Sequence, residues 1–206
     1  DCSLLETIHD PAHRLRASST PAIADLDGDG DMEIVARRND QGLVAFTWQD
    51  GRYVTFWSSA GQNIRTQQAW DGPSIHDLDG DGFPEVLLRA SVYDGRTGAE
   101  IFAGGQLRNG QPFNGMIPVV ADMDLDGKVE LVADLGWQMV LHEWDGGRWM
   151  EQGGQGKGWL GGTPSHYALG DFGTASEDDT SFDATSLDGV AEIVSVADDT
   201  GQVRVV

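Results

Sequence analysis

Short apolar runs alternate with polar, glycine-bearing breaks along most of the chain. Runs such as Ala22-Ile23-Ala24 and Val119-Val120-Ala121 lead into strongly acidic breaks, and a second apolar run follows each break: Ile34-Val35-Ala36, Val86-Leu87-Leu88, Leu131-Val132-Ala133 and Ile193-Val194-Ser195. Runs this short suit strands, and no segment sustains a 3.6-residue apolar period between helix caps. Further on, Asp50-Gly51, Asp94-Gly95 and Asp145-Gly146 each lie between strand-like, aromatic-bearing stretches, a favoured hairpin signature. One unit therefore reads as strand, acidic loop, strand, turn, strand, Asp-Gly turn, strand. Four antiparallel strands in roughly 45–50 residues predict an all-β chain built of β-propeller blades.

The unit repeats. Segments 21–35, 73–87 and 118–132 superimpose without gaps, and a broken fourth copy begins at Asp171-Phe172-Gly173 and resumes over residues 187–194. About fourteen residues are inserted between its halves. Repeats near 19–65, 66–110, 111–155 and 156–206, with residues 1–18 ahead of them, make one propeller or half-propeller domain. The last repeat stops a strand short, and residues 4–8 (Leu-Leu-Glu-Thr-Ile) are strand-like. They are expected to complete the last blade, closing a ring within the chain or across a partner and removing an edge strand. The alternative is that residues 1–18 are a linker.

Counted from its first Asp, each intact loop has carboxylates at positions 1, 3 and 5: Asp25, Asp27 and Asp29; Asp77, Asp79 and Asp81; Asp122, Asp124 and Asp126. Short carboxylates at alternate positions of a tight loop converge and repel, so the arrangement calls for a cation. An all-oxygen, carboxylate-rich loop favours Ca²⁺ over Mg²⁺. Position 6 is Gly30, Gly82, Gly127 and Gly189, as a sharp turn requires. Position 7 (Asp31, Phe83, Lys128, Val190) varies freely, which suits a backbone carbonyl ligand, and position 9 is Glu33, Glu85, Glu130 and Glu192. An EF-hand needs Glu at position 12, where this chain has Ala36, Leu88 and Ala133. Solvated acidic turns would not hold Gly and Glu in register through the repeats. Position 2 (Leu26, Leu78, Met123, Phe172) is an apolar anchor. In the fourth copy Asp171, Asp188 and Glu192 remain, while Gly173 takes position 3 and only the insert (Glu177, Asp178, Asp179, Asp183) offers a substitute.

Charge sharpens this picture. The 206 residues carry 34 acidic against 13 basic side chains, a formal net charge of -21, clustered where cations would sit. A chain so acidic repels nucleic acid and anionic membranes. There is no apolar run near 18 residues and no signal-peptide pattern at the N-terminus, so no membrane insertion is expected. Cys2, the one cysteine, has no partner within the chain.

The segment Asp-x-Asp-x-Asp-Gly-x-x-Glu with two apolar residues after it resembles the FG-GAP/VCBS repeat family, the blades of integrin α-subunit and many bacterial extracellular propellers. The resemblance covers nearly all of the chain after residue 18 and is closer to the VCBS type, because Phe-Gly and Gly-Ala-Pro elements are mostly missing. Pro21, Pro73 and Pro118 occupy the family's Pro position. The resemblance implies structural Ca²⁺ within the blades, an extracellular or cell-surface setting, and a role in adhesion or carbohydrate recognition. Family propellers commonly have seven blades against about four here, which leaves a homodimeric ring, a piece of a longer protein or a small closed ring.

Three functions fit. The first is a non-catalytic module binding glycan or protein ligands. Of seven Trp, those at 48, 57, 144 and 149 lie on or beside hairpin strands and are expected in the core, while Trp70 and Trp159 sit in Gly/Asn/Gln-rich connections where they could stack on sugars. The second is a calcium-dependent, lyase-like polysaccharide enzyme. Against it, His9, His13, His76, His142 and His166 do not align between repeats, Ser165-His166 lacks a nucleophile elbow, the clustered carboxylates are committed to metal, and bases are few. The third is a purely structural blade set.

Overall fold

The computed structural model describes residues 3, 4, 6–8, 10, 12–40, 42–60, 71–104, 117–134, 139–152, 167–175, 182, 183, 185–196 and 203–205. Among them the regular elements are seventeen strands, with no α-helix. β1 (Ala22–Ala24), β2 (Glu33–Arg37), β3 (Leu43–Gln49) and β4 (Arg52–Ser58) form one antiparallel sheet in that order. β5 (Pro73–His76), β6 (Glu85–Leu88), β7 (Ser91–Tyr93) and β8 (Glu100–Phe102) form the second in the same order. β9 (Val120–Ala121), β10 (Glu130–Asp134), β11 (Met139–Trp144) and β12 (Trp149–Glu151) form the third. In the fourth repeat β13 (Tyr167–Gly170), β16 (Glu192–Val196) and β17 (Val203–Val205) make a three-stranded sheet, while β14 (Thr174–Ala175) and β15 (Phe182–Asp183) pair with each other inside the insertion. Each of the first three repeats is thus one meandering sheet with its acidic loop between the first two strands, and in the fourth the loop, interrupted by the β14–β15 hairpin, joins β13 to β16.

The Asp-Gly turns differ in detail. Asp50 and Gly51 both have positive φ (52° and 82°) and make a two-residue hairpin loop between paired Gln49 and Arg52. In the second sheet Asp94 instead caps Thr97, accepting from its backbone N–H and its hydroxyl at 2.8 Å each, and the connection runs on to a left-handed Gly98 (φ 69°). In the third, Asp145 N–H donates to the Arg148 carbonyl at 3.1 Å and Trp144 faces Trp149.

The core lies between consecutive sheets. Leu26, Val35, Leu43, Ala45 and Trp57 of the first repeat meet Val86, Leu88 and Tyr93 of the second. Leu78, Leu87, Val92 and Phe102 of the second meet Leu131, Trp144 and Trp149 of the third, and Val132 meets Ile193 of the fourth. Successive residues of a strand point to opposite faces, so Val86 and Leu88 face the first sheet while Leu87 faces the third. A sheet buried on both faces needs the unbroken apolar run seen in the sequence. Two tryptophans tie sheets together: the Trp57 indole N–H donates to the Gly95 carbonyl at 2.7 Å, and that of Trp149 to the Ala90 carbonyl at 3.0 Å. Trp48 is not in the core; it is 42% exposed and meets Tyr53 edge-on with ring centroids 5.0 Å apart.

The expected N-terminal strand is not seen within the chain among the described residues. Among the described residues, 3–8 hold no strand, Leu4 is exposed, and β17 pairs only with β16. The segment follows the first sheet instead. Glu6 accepts from Tyr53 N–H at 3.4 Å, Asp10 accepts from the Thr55 hydroxyl at 2.7 Å, and Arg16 N–H donates to the Arg37 carbonyl at 2.9 Å. Bonds made by residues 10–16 fix where the chain enters, and they hold it to the first sheet.

One buried ionic cluster joins the first two sheets. Asp71, fully buried ahead of β5, pairs through Oδ2 with Arg37 at the end of β2 and with Arg89 just after β6, the latter at 2.7 Å.

Candidate metal centres

The four acidic loops close by one set of hydrogen bonds. The position-6 amide donates to the first Asp: Gly30 to Asp25, Gly82 to Asp77 and Gly127 to Asp122 at 3.0 Å each, and Gly189 to Asp171 at 2.9 Å. The position-7 amide donates to the carboxylate at position 5: Asp31 to Asp29, Phe83 to Asp81, Lys128 to Asp126 and Val190 to Asp188, at 2.8–3.0 Å. In the fourth loop the first pair lies 18 residues apart instead of five, yet the ends still meet. The inserted β14–β15 hairpin leaves the loop's closing geometry intact. Position 6 is left-handed throughout, with φ between 86° and 93° at Gly30, Gly82, Gly127 and Gly189, a backbone that glycine alone adopts without cost.

Position 4 is left-handed in the intact loops as well: Gly28 (φ 79°), Gly80 (φ 74°) and, in the third, Leu125 (φ 59°). A side chain there costs about 1–2 kcal/mol, partly offset by the unfolded-state entropy of glycine. Leu125→Gly should therefore raise stability by about 0.5–1 kcal/mol in urea unfolding, since Leu125 is exposed and gives up little packing.

These loops gather carboxylates. Ligand-capable oxygens lie within 4.8 Å of one another in Asp25, Asp27 and Asp29; in Asp77, Asp79 and Glu85; in Asp122, Asp124 and Glu130; and in Asp171, Asp188 and Glu192. Three of the expected carboxylates thus come together in each loop, the interrupted one included, but not the same three: Glu33 stays out of the first group, Asp81 out of the second and Asp126 out of the third. The position-9 glutamates have a role beyond ligation: each accepts the position-2 amide through Oε2, Glu33 from Leu26 and Glu85 from Leu78 at 2.8 Å, Glu130 from Met123 and Glu192 from Phe172 at 2.7 Å. Glu33 also accepts from the Thr47 hydroxyl at 2.8 Å, so both its oxygens are engaged and the first cluster is made by aspartates alone. Sequence reading missed Thr47, whose role depends on the β2–β3 register. Trp70 and Trp159, the expected sugar-stacking residues, lie outside the described residues, as does Cys2.

The glutamate brace holds each apolar anchor in place. Leu26 sits in the core between the first and second sheets, Leu78 in that between the second and third, and Met123 in that between the third and fourth. Each of the three intact loops is therefore seated under the sheet that follows its own. Phe172, the anchor of the fourth, is 41% exposed.

The fit of a cation rests on uncompensated charge. Glu130 is 3% exposed and its Oε1 has no hydrogen-bond partner; Asp171 Oδ1 is likewise buried and unpartnered. Burial raises the Glu130 carboxyl above its ordinary range, and burial, with the charges of Asp79, Asp81 and Asp77, pushes Glu85 up from 4.5 to about 7. A divalent cation bound among these oxygens would supply the missing partner and cancel the repulsion. Without metal, the folded state keeps a proton on Glu85 that the unfolded chain releases near its ordinary 4.5. This contribution is fully present below about 4.5, is lost as pH rises toward about 7, and is on the order of 2 kcal/mol. In EDTA the wild type should lose stability relative to Glu85→Gln across that window; parallel pH profiles would refute the assignment.

Comparison with known proteins agrees with this architecture. Residues 25–88, from the first Asp of the first loop to the end of β6, match the model of an FG-GAP-like repeat. No curated protein sequence matches the chain significantly. Among solved structures, BBS1N, crystallised in complex with ARL6DN and soaked with lead, superimposes with a TM-score of 0.55 at 14% identity, covering 97% of this chain and 59% of that one. The chain thus spans about 59% of that relative's length, and at such identity the likeness concerns the fold. The V. cholerae biofilm matrix protein Bap1 is more distant, with a TM-score of 0.33 at 19% identity over 76% of this chain and 31% of that one. No helix among the described residues is long and apolar enough to cross a membrane. Residues 25–88 are thus similar to an FG-GAP-like repeat, and the acidic loop within them recurs in the sheets that follow.

Proposed function

We propose that the chain is a calcium-stabilised set of propeller blades that serves, outside the cell or at its surface, as a non-catalytic binding module for a glycan or protein ligand. The observation that carries the metal reading is Glu130: a carboxylate buried to 3% exposure, one oxygen unpartnered, grouped with Asp122 and Asp124. Asp25, Asp27 and Asp29 in the first loop, Asp77, Asp79 and Glu85 in the second, and Asp171, Asp188 and Glu192 in the fourth offer the same kind of oxygen set. All are hard ligands suited to Ca²⁺. Loop closure holds the apolar anchors Leu26, Leu78 and Met123 under the next sheet, so metal binding supports the cores between sheets. The exposed anchor Phe172 suggests where a further sheet, from more chain or from a second copy completing a ring, would pack.

Elemental analysis of protein dialysed against trace Ca²⁺ and Mg²⁺ should find calcium at about one ion per intact loop, in preference to magnesium. Metal-free protein after that dialysis would end the calcium reading. Screening the Ca²⁺-loaded protein on a glycan array tests the ligand class, and the signal should vanish in EDTA.

A further inference from the structure

We infer that Lys128 is a built-in competitor for the cation of its own loop, making the third loop the weakest of the three intact sites; this rests on the calcium reading above. The three loops share their closing bonds and their carboxylates at positions 1, 3, 5 and 9, but differ at position 7. There the first loop adds a fifth carboxylate, Asp31, the second adds a neutral ring, Phe83, and the third adds an ammonium.

That ammonium is held over the loop. Lys128 Nζ pairs closely with Glu143 on β11 and lies 3.9 Å from Asp126 Oδ2. Glu143, itself bonded by the Gln152 amide, keeps the lysine on this side of the sheet. The second loop also has a base nearby, but Arg96 stacks over the Phe83 ring at 4.3 Å and pairs with Asp94 at 3.8 Å, outside the loop's carboxylate set. The third loop is still a ligand site, since the buried, unpartnered Glu130 oxygen belongs to its cluster. An incoming cation nevertheless meets one positive charge already 3.9 Å from the position-5 carboxylate, next to the group formed by Asp122, Asp124 and Glu130.

The affinity of an oxygen-ligated calcium loop follows its net ligand charge. A unit charge about 4 Å from a ligand oxygen, at a solvent-exposed position, is worth on the order of tenfold in binding. Lys128 and Asp126 are both substantially exposed, so the effect should be screened by salt. Loading is therefore sequential. The first loop fills at the lowest calcium, the second next, and the third last, so the interface between the third and fourth sheets, where Met123 is anchored, is the last to be reinforced.

The position-6 glycine amides report each site separately in the intact protein, because each donates to the first Asp of its own loop. Calcium titration of ¹⁵N-labelled protein at low ionic strength should shift the Gly30 amide first and the Gly127 amide last. Lys128→Gln, which keeps the position-7 carbonyl, should lower the Gly127 midpoint about tenfold, leave the Gly30 midpoint unchanged, and lose most of that advantage in 1 M salt. An unchanged Gly127 midpoint in Lys128→Gln, or a gain insensitive to salt, would overturn the role of Lys128 while leaving calcium binding intact. If no loop glycine responded to calcium, the calcium reading itself would fall, and this inference with it.

Discussion

Chelation with EDTA should lower the melting temperature by roughly 20 °C or more, and Ca²⁺ should restore it better than Mg²⁺. A ligand that binds only the folded state stabilises it by RT ln(1 + [L]/Kd), about 2.7 kcal/mol per site at a hundredfold excess over Kd. For three intact loops the sum is about 8 kcal/mol, comparable with the whole stability of an ordinary domain. In a chain of this length each kcal/mol moves the melt by roughly 2–4 °C. The loss should also spread beyond the loops. Leu26, Leu78 and Met123 are anchored by loop backbone yet pack between sheets, so removing metal from one loop loosens the sheet that follows. Independent repeats would instead give losses confined to each loop and strictly additive. A melt unmoved by thorough chelation would remove the basis for metal binding altogether.

Asp71→Ala should cost about 3–5 kcal/mol with calcium present, the most damaging single substitution expected outside the acidic loops. Asp71 is buried and receives Arg37 and Arg89 on one oxygen, and both guanidinium groups are buried with it. Its removal leaves those charges in the core between the first two sheets without their carboxylate. Asp145→Ala is the control: that carboxylate pairs with an exposed Arg148 at 3.0 Å, and an exposed pair of this kind contributes little. Equal, small losses in the two variants, read from urea midpoints, would show that the Asp71 cluster does not hold the sheets together.

Much of the architecture was legible in the chain because it depends on local chemistry. Glycine at position 6 is dictated by a left-handed backbone, and alternate aspartates converge through the turn that this glycine makes. The broken fourth copy could be aligned across its insert, since Asp171, Gly189 and Glu192 keep the parts that the closing bonds need. Run length gave strands, while the covering of both sheet faces, which explains the unbroken run Val86-Leu87-Leu88, emerged only from the inter-sheet cores. The Asp-Gly turns were foreseen in kind but not in length: Asp50-Gly51 closes a two-residue loop, whereas Asp94 turns its carboxylate to Thr97 and widens its connection.

What the sequence by itself determined is the local unit: four acidic loops with their glycines, the strands flanking them, and the order of strands within a sheet. These follow from φ preferences, side-chain alternation and charge repulsion, all of which act within a few residues of each other. The tertiary structure decided everything that required distant segments to meet. It turned the position-9 glutamates into braces and drew Thr47 onto Glu33. It set Asp71 between arginines from two sheets and laid the N-terminal segment along the first sheet. Pairings of this kind are chosen by which buried polar groups find partners and which apolar faces are covered, and neither is settled until the sheets have packed against one another.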